Sequence, residues 1–148
     1  LVRNQDNEMN YRIRKNGGKI YLAEDIKLSY YCRDSIKGIS QMALKNGMWN
    51  VITMKLCPGS MGVRHFVPLA FLLSLIFMPI LSAFVPVFWW LFLAEILLYS
   101  ALNVVCSLHN QNGTGKTHFF LKLIIFPLFH ICYGAGSLFG IFKLHKFK

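Results

Sequence analysis

Between Asn4 and Leu22 the chain reads NQDNEMNYRIRKNGGKIYL, and here its side chains are best equipped for chemistry. Asp6 and Glu8 are the carboxylates. A carboxylate within hydrogen-bond reach can take the proton of a weakly nucleophilic hydroxyl as that hydroxyl attacks, which is the work of a general base. Arg12, Arg14 and Lys15 follow, and guanidinium groups bind phosphate oxygens bidentately. The same residues also have a purely helical reading: acidic groups in a first turn and basic groups in a last turn complement the macrodipole. Glu8 stands four residues before Arg12, the spacing of a surface ion pair. With Gly17-Gly18 as a stop signal, the pattern predicts a helix from Asp6 to Asn16.

The elements that would hold this helix come next. KIYL at 19–22 and KLSYYC at 27–32 are rich in β-formers and flank a turn-like Ala23-Glu24-Asp25, so they predict two short strands at the edge of an α/β domain, covering residues 1–34. From Ser35 to about Leu56 a second helix is expected. On it Ile36, Ile39, Met42, Ala43, Trp49 and Met54 form one rough face, blurred by Met48 and Ile52, and Lys37, Lys45 and Lys55 point away. An apolar face with Trp, set directly before a hydrophobic region, suits a helix lying in the membrane interface over 35–64. The same pattern also fits a helix packed on a soluble core.

Of the 148 residues 55% are hydrophobic, the formal charge is +10, and both features are unevenly spread. Eleven of the sixteen Lys and Arg precede His65, whereas Glu95 is the single acidic residue after it. Residues 65–148 therefore read as a membrane region with apolar segments at 66–84, 85–108 and 118–142, each near the roughly 20 residues that a spanning helix needs. The turn between the first two is expected at 82–86, where Pro86 interrupts the helix, with Trp89 and Trp90 at the interface. A basic tail, residues 143–148, closes the chain. By the positive-inside rule the basic arm before Phe66 is cytoplasmic. Three full crossings would then put the basic tail outside. Either the last segment is re-entrant or interfacial, bent at Pro127 and the glycines 134, 136 and 140, or the tail is tolerated on the far side.

The opening motif resembles family 2 glycosyltransferases, in which an E-D or Q-D motif opens a helix that continues close to D-x-E-L-x-x-R-x-R-K-x-G-G-K-I. Asp6, Glu8, Arg12, Arg14, Lys15, Gly17 and Gly18 fill those positions, with Met9 in place of the usual Leu. The resemblance continues through RDSIKG at 33–38, Gly47 to Trp49 and CPGSMGVRHFVP at 57–68. It ends in HICYGAGSLFG at 130–140, which is similar to the H-x-x-Y-G-x-G-x-x-x-G of bacterial exopolysaccharide, succinoglycan-type, transferases.

This resemblance implies the C-terminal part of a membrane-bound, inverting transferase of the GT-A fold. It would move a sugar from a nucleotide-sugar to a lipid-linked or glycan acceptor at the cytoplasmic face of a bacterial inner membrane. Asp6 would be the general base, Glu8 and Arg12 its support, and Arg33, Gln41 and Trp49 would bind the acceptor. Nucleic acid is not among the implied partners. Processive members carry Q-x-x-R-W, but here Gln41 and Trp49 are eight positions apart with Met48 where the Arg belongs. The D-x-D that would hold Mg²⁺ or Mn²⁺ is absent from this sequence, so the chain is expected to be a piece of a longer protein and inactive alone. The competing expectation is a non-catalytic membrane anchor with a basic cytoplasmic arm.

Four further features carry less. Cys32, Cys57, Cys106 and Cys132 have neither C-x-x-C spacing nor a zinc-spaced His, and read as small apolar residues. NGTGKT at 112–117 lacks the first Gly of a P-loop, with Asn110 in its place, and joins apolar helices. Asn112-Gly113-Thr114 is a glycosylation sequon on a loop expected to be cytoplasmic. Glu95 lies inside an apolar span, where a carboxyl calls for a partner; His118 and His130 are the candidates.

Overall fold

The computed structural model describes residues 3–109 and 116–146. These residues are 76% helical and contain no strand. Five α-helices follow in order: α1 Gln5–Lys15, α2 Ile36–Leu56, α3 Val67–Ser82, α4 Val87–His109 and α5 Lys116–Lys143. Short 3-10 turns lie at Val63–Phe66 and Leu144–Lys146.

The expected α/β edge is therefore wrong. Residues 18–22 and 26–34 carry no regular structure, and Leu22, Leu28 and Tyr31 are almost fully exposed. A strand holds its shape by pairing its backbone with a neighbour, and two β-prone runs without a sheet to join do not form one. Only the helical half of that expectation is present. α1 ends as its glycines demand: Gly17, at φ 77°, donates to the Arg14 carbonyl and Gly18 to that of Ile13, the paired bonds of a left-handed C-terminal cap.

α3 and α4 make an antiparallel hairpin. Phe71 stacks on Tyr99 with ring centroids 4.5 Å apart, and one turn deeper Ser74 Oγ donates to Glu95 Oε1 at 2.5 Å. The turn between them occupies residues 83–86, as Pro86 predicts, and Trp89 and Trp90 are exposed just after it. Among the described residues three stretches are long and apolar enough to cross a membrane: Val63–Ser82, Val87–Leu108 and Phe119–Lys143. The protein is a membrane protein by that measure.

The densest packing lies between α2 and α5. α2 buries Ala43, Gly47, Asn50, Val51, Ile52 and Thr53, and α5 buries Gly134, Gly136, Ser137 and Gly140. Ala43 and Gly47 are four apart, as are Gly136 and Gly140, the small-residue spacing that lets two helix backbones touch. A Cβ on Gly47 would collide with the Tyr133 carbonyl, one on Gly136 with the Leu44 carbonyl, and one on Gly140 would stand 2.7 Å from the Met48 carbonyl. Gly134 makes the corresponding approach to Pro68 of α3. The face expected to be apolar is used only in part: Ala43 is fully buried and Ile39, Met42 and Trp49 are half-buried, but Ile36 and Met54 are exposed while polar Asn50 and Thr53 are inside. Small residues set the closest approach of the two backbones, and Val51 and Ile52 fill the rest of the contact face.

Candidate functional site

The site is assembled where the segment before α1 crosses α2. Arg3 Nη1 donates to Asn46 Oδ1 at 2.8 Å. Asn4 adopts the left-handed conformation at φ 59°, which Asn tolerates better than most residues, and its side chain does not cap α1. It reaches α2 instead, donating to Asn50 Oδ1 at 2.6 Å and lying 3.4 Å from Thr53 Oγ1. Asn50 Nδ2 in turn donates to the Tyr133 hydroxyl of α5. This relay ties arm, second helix and last helix together, and it satisfies an amide that is 4% exposed. A buried amide left without partners costs free energy, so the relay fixes where α1 stands.

Asp6 is exposed in the first turn of α1, open to an incoming hydroxyl. Glu8 is differently placed: its Oε1 lies 2.6 Å from Arg12 Nε, in the ion pair that the sequence spacing allows. Glu8 is thus engaged, and Asp6 is the more accessible carboxylate. Arg33 and Gln41 come together across the start of α2, where with Arg3, Gly38, Met42 and Lys45 they line a cavity of about 230 Å³. Three cationic side chains share that cavity with one amide and no acidic residue. Trp49 sits half-buried on α2 eight residues beyond Gln41, about 12 Å along the helix at 1.5 Å per residue.

The cavity's three cations and one amide have the chemistry to bind an anion; α1 itself runs toward the other end of α2, where Gln5, Glu8, Met9 and Arg12 gather with Leu56 and Cys57. Arg3 and Lys45 were not singled out by motif; their signal in the sequence was only charge. Among the described residues no three His, Cys, Asp or Glu side chains gather, so these residues do not fit a divalent-metal site.

The other polar residues have structural partners. Tyr99 and His130 hydrogen-bond at 2.8 Å between α4 and α5. Glu95 takes its bond from Ser74, not from His130, and its Oε2 is buried without a partner among the described residues. The His118 side chain, and most of the NGTGKT segment with its sequon, lie outside the described residues. The H-x-x-Y-G-x-G-x-x-x-G residues all have packing duties here: His130 bonds Tyr99, Tyr133 bonds Asn50, and each of the three glycines admits a neighbouring backbone. No known protein family, curated protein or solved structure matches the chain.

Proposed function

We propose that the chain is the membrane-seated C-terminal part of a glycosyltransferase that moves a sugar from a nucleotide donor to a lipid-linked or glycan acceptor. The observation that carries this reading is the cavity bearing Arg3, Arg33, Lys45 and Gln41, whose Arg3 stands three residues before Asp6 in the chain. Both the donor and a lipid-linked acceptor bear phosphate, and clustered cations with an amide suit phosphate oxygens and sugar hydroxyls. The motif resemblance supplies the reaction, and the apolar helices supply a reason for the acceptor to be lipid-linked.

In this mechanism the Asp6 carboxylate takes the proton of the acceptor hydroxyl as its oxygen bonds to the anomeric carbon of the donor sugar. The bond from that carbon to the nucleoside diphosphate breaks on the opposite face, inverting the centre, and the diphosphate leaves with the electron pair. Glu8 and Arg12 hold the first turns of α1 in register. The enzyme resides in a bacterial inner membrane with the arm cytoplasmic, where nucleotide-sugars are made. A divalent ion in the intact enzyme would be held by residues other than the described ones.

The test is transfer of radiolabel from a panel of nucleotide-sugars into the lipid extract of membranes that contain the full protein. Label entering the lipid or glycan fraction with one donor supports the reading. If every donor fails while the protein is inserted, the basic arm is an anchor for anionic lipid and the transferase reading falls.

A further inference from the structure

We propose that α5 does not cross the membrane, but lies across the cytoplasmic base of the α3/α4 hairpin and forms with α2 a two-helix platform seated among anionic lipid headgroups. The argument is one of register. Because Phe71 lies opposite Tyr99 and Ser74 opposite Glu95, each level of α3 has a matching level on α4, and Pro68–Leu72 stand level with residues 98–102. α5 meets α4 at Leu123, whose carbonyl accepts from Asn103 Nδ2 at 3.0 Å. It meets α3 at Gly134, which lies against Pro68 and Leu72. Between them His130 bonds Tyr99.

From 123 to 134 a helix advances about 16 Å at 1.5 Å per residue. Measured along the hairpin, those contacts climb only from the level of Asn103 to that of residues 98–102, about 2–8 Å at the same rise. A third crossing helix running alongside would have reached the level of Met78 and Phe92. α5 therefore runs steeply across the hairpin near its open end, where α3 begins and α4 finishes.

The chain continues on that same side. Beyond Gly134 its Gly136, Ser137 and Gly140 lie against α2, which leads through residues 57–66 into the base of α3. Lys55 Nζ donates to the Leu144 carbonyl at 2.7 Å, joining the end of α2 to the end of α5.

Charge agrees with geometry. With two crossings all sixteen Lys and Arg fall on one side, and the far turn Ala83-Phe84-Val85-Pro86 carries no charge. With three, Lys143, Lys146 and Lys148 would be stranded opposite the arm. α2 and α5 contain no acidic residue, so their exposed Lys37 and Lys45 meet anionic headgroups with no carboxylate on the platform to compete. On α5 the exposed Phe120, Ile124, Ile131 and Phe142 share one helical face, the face that enters the acyl layer.

The test is side-specific labelling of the full chain in sealed membrane vesicles. In a background without the native cysteines, Lys27→Cys, Phe84→Cys and His145→Cys are treated with a membrane-impermeant maleimide before and after permeabilisation. Positions 27 and 145 should label from the same side and position 84 from the other; labelling of 145 together with 84 would overturn the proposal. Should the cysteine-free chain fail to insert, trypsin on the unaltered protein decides. Cleavage after Lys143 and after Lys27 in the same vesicle population is expected, and cleavage in opposite populations overturns it.

Discussion

Replacing Gly136 by Ala adds one methyl group where, as at Gly47, a glycine Cα comes closest to a neighbouring backbone. That Cβ would overlap the Leu44 carbonyl oxygen and lie 2.9 Å from the Leu44 Cα, whereas ordinary contacts begin near 3.4 Å. Both obstacles are main chain, so no side chain can rotate aside, and α2 must draw back along its length. Overpacking of this kind costs about 1–3 kcal/mol, occasionally more, and at about 1.4 kcal/mol per factor of ten that is roughly a 5- to 150-fold loss in the folded ratio. The control is Gly62→Ala, whose added Cβ would have its nearest neighbour at 4.0 Å, the Arg64 Cγ; surface changes of that kind stay within about 0.5 kcal/mol. The assay is thermal unfolding of the purified protein in detergent, with Gly47→Ala as a second probe of the same seam. If Gly136→Ala and Gly47→Ala unfold at the temperature of Gly62→Ala, α2 and α5 are not in backbone contact and the platform is misdrawn.

Removing the Tyr133 hydroxyl as Tyr133→Phe leaves the buried Asn50 amide short of a partner and should destabilise by about 1–3 kcal/mol. A double-mutant cycle with Asn50→Ala should show coupling, and additivity would count against the relay. Glu95→Gln keeps an acceptor for Ser74 and removes a carboxyl from an apolar span, so thermal stability should hold or rise; a clear fall would mean Glu95 has another essential partner. Arg12→Ala breaks an i,i+4 helix pair whose arginine is exposed and whose Glu8 is partly buried, and should cost about 0.3–1 kcal/mol in thermal unfolding. A loss of several kcal/mol would show that Arg12 does more than pair with Glu8.

The sequence announced its helices well where periodicity, caps and composition pointed the same way. The 82–86 turn follows from Pro86, the end of α1 from Gly17-Gly18, and the apolar stretches from their length. It misled where a local preference needed a distant partner. KIYL and KLSYYC have the composition of strands, but a strand is a pairing, and the helices here offer no edge to pair with. The α2 face was misread for a different reason. Hydrophobicity drew attention to Ile36 and Met54 together with Ala43, and only Ala43 lies in the seam; its backbone-to-backbone contact is signalled by small residues at four-residue spacing, Ala43 with Gly47 and Gly136 with Gly140. At the candidate site, motif pointed to Asp6, Arg33 and Gln41. Lys45 stands one helical turn from Gln41 and was legible at that spacing, whereas only the fold could bring Arg3, 30 positions before Arg33, to the same cavity.

The proposed chemistry depends most directly on one carboxylate. The measurement is the rate of sugar transfer by the full protein in native membranes, compared with its Asp6→Asn variant at equal insertion and equal thermal stability. The substitution keeps size and hydrogen bonding but removes the basic oxygen, so transfer should fall about 100-fold or more, the range that general-base catalysis contributes. Transfer at an undiminished rate would contradict the assignment of Asp6 as the base.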